Sequence, residues 1–145
     1  MTITSTDNRI SYAGNDSVVL FSFPYTIFAT DDLKVILVVD ATSVETVQVL
    51  DTDFSAVIAG DEQSAAITMT TAPATGETLV IIREEQFTQG LNLVENDDLP
   101  SASLEKSLDI NVLLAQQLNT EIARSAKLSD GDTSSFDPIL HPLRS

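Results

Sequence analysis

The side chains that could carry out acid–base or nucleophilic chemistry are few in this sequence and poorly placed for it. His141 is the only histidine, and it lies close to the end of the chain at Ser145. A general base on such a terminus would lack the geometric control that catalysis requires. The absence of cysteine removes thiol nucleophiles, thiolate metal ligands and disulfides. We therefore predict that the protein is not an enzyme.

Adjacent carboxylates are the next candidates for catalysis, and they occur as Asp31-Asp32, Glu84-Glu85 and Asp97-Asp98. Neighbouring side chains on a strand point to opposite faces, so adjacency alone does not build a catalytic pair. A glycosidase would need two carboxylates brought together across the fold, and nothing in the sequence singles out such a pair. We expect all six to be solvated charges on loops.

A possible calcium loop begins at Asp130-Gly131-Asp132-Thr133-Ser134. A calcium-binding EF-hand loop requires glycine at its sixth position and an acidic residue at its twelfth. Ser135 and His141 occupy those positions here. No phosphate-binding glycine loop or metal-spaced histidine cluster occurs either. The sequence predicts no metal site and no cofactor.

The charge balance excludes two classes of partner. Seven Lys and Arg residues stand against 22 Asp and Glu residues, so the formal net charge is −15. Nucleic acids and anionic membranes are bound through cationic side chains, so neither is an expected partner. The N-terminus lacks a signal-peptide pattern, and the longest apolar run, Val35–Val39, is far shorter than the about 20 residues of a membrane helix. We expect a soluble protein made in a cytoplasm.

The elements that must position any site begin with about seven short strands separated by turn residues. A small antiparallel β-sandwich or barrel is the fold that such spacing predicts. The nearly continuous apolar run at Leu33–Val39 predicts burial on both faces of that strand, and Pro73 with Gly76 predicts a tight turn containing a positive φ. The expected strands are Arg9–Ala13, Val18–Phe23, Leu33–Val39, Val44–Leu50, Phe54–Ile58, Ala66–Thr70 and Leu79–Arg83.

A helix with a coiled-coil-like repeat is predicted from about residue 102 to 126, with Ser101 or Ser103 as its N-cap. Its apolar stripe follows alternating four- and three-residue steps, and polar Asn111 within it would fix the register. The stripe consists of Leu104, Leu108, Asn111, Ala115, Leu118 and Ile122. A second, flanking face consists of Ile110, Leu113, Leu114 and Gln117.

So much apolar surface favours two partners for this helix. We expect the second face to pack on the β-domain and the stripe to form an oligomer interface with copies of the chain. The alternative is that the whole helix packs on its own domain. The resulting division is a β-domain at 1–99, a helical stem at 100–127 and an extended peptide at 128–145.

The C-terminal peptide carries apolar residues that would be out of place on a free tail. We expect them to dock on a neighbouring protein, and the alternative is a poorly ordered terminus. These residues are Phe136, Ile139, Leu140 and Leu143.

The order of these features resembles the N-terminal virion-attachment domain of tail fibres and tailspikes from short-tailed bacteriophages and related phages. The similarity covers about residues 8 to 126. It is carried by Phe21-Ser22-Phe23-Pro24-Tyr25, Asp31-Asp32-Leu33-Lys34-Val35, Asp51-Thr52-Asp53-Phe54-Ser55, residues 67–76, Leu79-Val80-Ile81-Ile82-Arg83, Gln86-Phe87, residues 104–112, Gln116-Gln117 and Ile122-Ala123-Arg124.

The resemblance implies a structural phage tail protein located in the virion. In that family the β-domain sits on the tail, the helix begins a trimeric stem, and a long receptor-binding or polysaccharide-degrading region follows. Since this chain ends at Ser145, we expect an attachment domain that is its own protein, an adaptor linking a fibre or spike to the tail. Its expected partners are two further copies in a homotrimer, the tail hub, nozzle or adaptor proteins, and a separate fibre or spike. The alternative is a short receptor-binding tail fibre that contacts the host surface.

Overall fold

Seven strands and one long helix make up the part of the chain that the computed structural model describes, which is residues 3, 5–60, 64–88, 91–95, 98 and 100–125. The strands are β1 (Arg9–Ala13), β2 (Leu20–Phe23), β3 (Leu33–Val39), β4 (Val44–Val47), β5 (Phe54–Ile58), β6 (Ala65–Met69) and β7 (Glu77–Arg83). A short 3-10 turn, Thr30–Asp32, precedes β3, and helix α1 spans Ser101–Arg124. The predicted number and order of strands are confirmed.

The strands form two antiparallel sheets. One sheet has the order β1-β7-β3-β4, and the other has the order β2-β6-β5. Buried residues from both sheets belong to a single apolar cluster, which includes Val35, Leu79 and Ile81 from the first sheet and Phe23 and Ile67 from the second. Two sheets sharing one core match the predicted sandwich, rather than a single closed barrel.

The apolar side chains of β7 explain its central place in the first sheet. Ile81 pairs with Ile10 on one side and with Val35 on the other, and Leu79 and Ile81 are fully buried. Each apolar side chain of this size contributes roughly 1.5–3 kcal/mol when it is removed from water. β7, which lies between β1 and β3, therefore has the longest run of buried apolar residues in this sheet, Leu79–Ile81.

The burial expected for β3 is confirmed at Leu33, Val35 and Ile36, whereas the rest of the strand is half-buried. The strand predicted at Val44–Leu50 is shorter than expected. β4 ends at Val47, and all four of its side chains are exposed. It lies at the edge of the sheet, so it has a ladder partner on one side only.

Helix α1 begins one residue before its predicted start. The predicted N-cap, Ser101 or Ser103, is wrong, because Pro100 occupies that position and makes no side-chain capping hydrogen bond. The Pro100 carbonyl accepts the first helical hydrogen bond, from the Leu104 N–H at 3.0 Å. Proline suits this place because its fixed φ is compatible with a helix start and its missing N–H is not needed there.

The turn after β1 packs tightly against the turn before β7. The N–H groups of Asn15 and Asp16 both donate to the Pro73 carbonyl, at 3.0 and 2.9 Å. Gly76 has a φ of 92°, as the Pro-x-x-Gly pattern predicted. At Gly14 a β-carbon would collide with the carbonyl oxygens of Ala74 and Pro73. Only glycine permits this close approach of two backbones.

Replacing Gly14→Ala should therefore destabilise the sandwich by about 1–3 kcal/mol, the usual cost of inserting atoms into a well-packed site. The measurement is the urea midpoint of the purified variant, followed by circular dichroism.

Gly60→Ala is the matched control, because Gly60 has no positive φ and a β-carbon there meets open space. It should leave the midpoint unchanged or raise it slightly, since alanine restricts the unfolded chain. Equal losses in the two variants would contradict the close-approach argument.

Candidate interaction surface and the contacts that position it

Helix α1 is held on the sandwich by a polar cluster at the end of β7. Arg83 is only 2% exposed, and its guanidinium donates in two directions. Nη1 donates to the Thr26 carbonyl at 2.8 Å, and Nη2 donates to the Gln116 side-chain oxygen at 2.8 Å. The buried Arg83 side chain thus links β7 both to the loop that contains Thr26 and to helix α1.

Two carboxyl groups, those of Asp32 and Glu85, share this buried site with Arg83. Leu33 pairs with Arg83 in the β3–β7 ladder, and this pairing brings Asp32 close to the residues that follow Arg83. The Glu84 N–H donates to the Asp32 carbonyl at 2.7 Å. The Asp32 and Glu85 residues are 7% and 5% exposed, and a hydrogen bond links their carboxyls. The expectation that all the adjacent carboxylates are solvated is wrong for these two.

The antiparallel register is the reason for that error. It buries Asp32 and Glu85 and leaves their sequence neighbours, Asp31 and Glu84, exposed. Asp98 is also exposed as expected, and Asp97 lies outside the described residues.

Burial sets the protonation behaviour of this cluster. Desolvation and, to a smaller extent, the nearby Asp32 charge raise the pKa of Glu85 to about 7, against the opposing effect of Arg83. Desolvation also raises the pKa of Asp32, with a contribution from Asp31, and it lowers the pKa of Arg83. A charged form is penalised in each case because the surrounding protein solvates it less well than water does.

Two glutamines on the helix complete the polar contacts. The Glu85 backbone N–H donates to the side-chain oxygen of Gln117 at 2.8 Å. The Gln116 amide donates to the Ser5 carbonyl at 2.9 Å, in addition to accepting from Arg83. The helix is therefore bonded both to the end of β7 and to the segment that precedes β1.

These contacts determine which side of α1 faces the sandwich. Leu113 is fully buried, and Asp109 and Gln117, one turn away on either side, are also buried. Near the start of the helix, the Lys106 ammonium lies 4.8 Å from the centre of the Phe28 ring. The predicted packing of the second face is confirmed, since Ile110 and Leu114 are half-buried beside Leu113.

The predicted stripe lies on the opposite side of the helix. At 3.6 residues per turn, its six positions are centred about 180° from Leu113. Leu104 is half-buried, whereas Leu108, Asn111, Ala115, Leu118 and Ile122 are exposed. The exposed fractions of Leu108, Leu118 and Ile122 are 57%, 45% and 53%. We call this exposed row, together with Leu104, the helix stripe; its role in self-association stays a prediction.

Several other predicted features lie outside the described residues. They are His141, the calcium-like segment at 130–134 and the four apolar residues Phe136, Ile139, Leu140 and Leu143. Within the described part of the chain, no group of three or more histidine and carboxylate side chains is arranged to hold a metal ion. Nor does any helix there combine the length and hydrophobicity that a membrane crossing requires.

The Arg83 cluster was not predicted from the sequence. Its signal was a single cation directly after the buried apolar run of β7, together with a glutamine pair on the helix face that carries Leu113. Neither pattern identifies its partner, because Arg83 and Gln116 are 33 residues apart.

Comparison with known proteins gives one informative similarity. No protein-family model matches the chain. The chain is similar to a tail spike protein of Salmonella phage epsilon15, with 25% identity over 144 residues. The similar region is 99% of this chain and 13% of the relative's length. This similarity agrees with the resemblance to phage tail proteins noted from the sequence.

Replacing Arg83→Met should lower the free energy of unfolding by about 3–5 kcal/mol at neutral pH, because it leaves buried carboxyls without their cation. Urea denaturation at constant pH measures this loss.

The control is Lys34→Met, which removes the cation of an exposed ion pair with Glu84 (3.1 Å between Nζ and Oε2). An exposed pair contributes about 0–1 kcal/mol. If the two variants lost the same stability, the buried cluster would not be the anchor of the helix.

Proposed function

We propose that this protein is a non-enzymatic structural module of a phage tail. In this proposal the sandwich attaches to other tail proteins, and helix α1 begins a homotrimeric stem. Similarity to a phage tail spike protein over 99% of the chain supports the tail assignment. The chain spans 13% of that protein's length, so the proposal concerns an attachment module and not the activity of a whole spike.

The observation that carries the trimer proposal is the helix stripe. A helix that packs on its own domain by one face normally presents polar residues on the other. Here the outer face carries leucine and isoleucine at alternating four- and three-residue steps, and this is the spacing that brings helices together in coiled coils. Burying the exposed halves of Leu108, Leu118 and Ile122 would contribute about 1 kcal/mol per side chain.

A second copy is a better occupant for the stripe than the chain's own sandwich. The sandwich already occupies the opposite face of α1 through Leu113 and the polar contacts of Gln116 and Gln117. Asn111 lies at one of the stripe positions, where a polar side chain specifies the register and the number of helices at some cost in stability.

The charge distribution supports protein partners rather than nucleic acid. Apart from Lys34, the chain contains no lysine or arginine between the start of β3 and Arg83. The same stretch contains several acidic residues, among them Asp40, Glu45 and Glu77. Such a surface repels phosphate backbones. The buried Asp32 and Glu85 carboxyls are covered by the helix and are engaged with Arg83, which supports a structural role for them rather than a catalytic one.

A test of the trimer is the molar mass of purified protein by size-exclusion chromatography with light scattering. We expect three times the chain mass of 15.6 kDa. Leu118→Asp should give a single chain mass, because a trimer would bury three unpaired carboxylates at its seam.

Val57→Asp is the matched control, since Val57 is an exposed residue of β5, away from the stripe. It should keep the trimeric mass. A monomeric wild-type protein, or a Leu118→Asp variant with unchanged mass, would rule out the stripe as a self-association surface.

A further inference from the structure

The contact between α1 and the sandwich combines apolar side chains with several buried carboxyls. Asp32, Glu85 and Asp109 are each more than nine-tenths buried there, against one buried cation, Arg83. Among the described residues, Glu85 Oε1 and Asp109 Oδ2 are buried and have no hydrogen-bond partner. An ionised carboxylate with an unpartnered buried oxygen is costly. The interface therefore carries an excess of potential negative charge.

We propose that the helix is held on the sandwich by a latch that requires one proton, shared by the Asp32 and Glu85 carboxyls. Loss of this proton releases α1 while the sandwich remains folded. The proposal goes beyond the structural role suggested above, and it does not depend on the oligomeric state.

The charges around the latch explain why one proton suffices. The 3-10 turn contributes Asp31 and Asp32, β7 contributes Arg83, and α1 contributes Lys106. Asp109 is buried on the side of α1 that faces the sandwich. With the proton on Glu85, the Arg83 charge balances that of Asp32 and the carboxyl hydrogen bond is complete. Without it, two carboxylates face each other beside one guanidinium. Lys106 is exposed, so solvent screens its compensating effect on Glu85.

Release of the helix, rather than unfolding of the whole domain, is the cheaper response to that extra charge. Leu113 is the only fully buried apolar residue of α1, and it is not part of the core cluster shared by the two sheets. Undocking would rehydrate Glu85, Asp109 and the glutamines, and the apolar side chains it exposes, Leu113, Ile110 and Leu114, lie outside the core cluster. Parts of a protein with few buried apolar contacts open at lower free energy than its core does.

The direction of the pH effect follows from the raised pKa of Glu85, about 7 against an ordinary value of 4.5. A carboxyl whose pKa is raised in the docked state binds its proton more tightly there than in the released state. Docking is therefore fully favoured below about pH 4.5, and it weakens as the pH rises through about 7. The raised pKa of Asp32 acts in the same direction.

The Glu85 backbone N–H reports directly on the latch, because its acceptor is the side chain of Gln117 on the helix. Hydrogen exchange followed by NMR on the full chain gives its protection factor after correction for the intrinsic pH dependence of exchange. Between pH 5.5 and 8 we expect this factor to fall on the order of tenfold or more. The Met69 N–H, which donates to Val19 within the sandwich, should keep its protection.

Two variants separate the latch from a general effect of charge. In Glu85→Gln the side chain cannot ionise, so the protection at position 85 should stay constant over this pH range. Glu84→Gln removes the same charge from the exposed neighbour and should behave as the wild type does.

Three results would overturn the proposal: constant protection of the Glu85 N–H in the wild type, an undiminished fall in Glu85→Gln, or a parallel fall at Met69. The last would mean that the whole domain opens, with no separate release of the helix.

Discussion

The guanidinium of Arg83, buried between strand and helix, is the interaction on which the placement of α1 depends. A cation in this position must be compensated, and the compensation comes from three directions: the Thr26 carbonyl, the Gln116 side chain and the acidic groups of Asp32 and Glu85. Since a buried charge without partners costs several kcal/mol, these segments cannot move independently while Arg83 stays buried. The cluster therefore gives the helix one orientation, where apolar packing alone would tolerate several.

That orientation decides what the molecule presents to its surroundings. With the helix held by these polar contacts, Leu113 and Gln117 are buried against the sandwich. Leu108, Leu118 and Ile122 then lie on the exposed side of the helix. The covered face thus carries the buried polar residues Asp109 and Gln117 beside Leu113, and the uncovered face carries exposed leucine and isoleucine side chains. Exposed apolar residues at coiled-coil spacing are expected of a module whose outer helix face meets other copies.

The acidity of the chain has different consequences at its surface and in its interior. On the surface it favours solubility and disfavours binding to nucleic acid. Inside the helix contact, burial and the neighbouring Asp32 charge raise the pKa of Glu85 to about 7. Because of this raised pKa, the stability of the contact between α1 and the sandwich depends on pH in a range where the surface carboxylates stay ionised.

Much of the fold could be predicted from local patterns. Alternating and continuous apolar runs located seven strands, the Pro-x-x-Gly turn located the positive φ at Gly76, and the change of period after residue 100 located the helix to within two residues of its described end at Arg124. These signals are local because each depends on side chains that are neighbours along one strand, turn or helix. The two helix faces were also distinguishable, since their periodicity is a property of the helix alone.

The site depended on contacts that no local pattern contains. Asp32 meets Glu85 because the antiparallel register of β3 and β7 places their ends side by side, and Gln116 reaches Arg83 because the helix returns across that end. The edge position of β4 and the close approach at Gly14 likewise arise from pairing between distant segments. The sequence by itself therefore determined the elements and their apolar faces. Only the tertiary structure decided which charges are buried together, because burial depends on neighbours that are far apart along the chain.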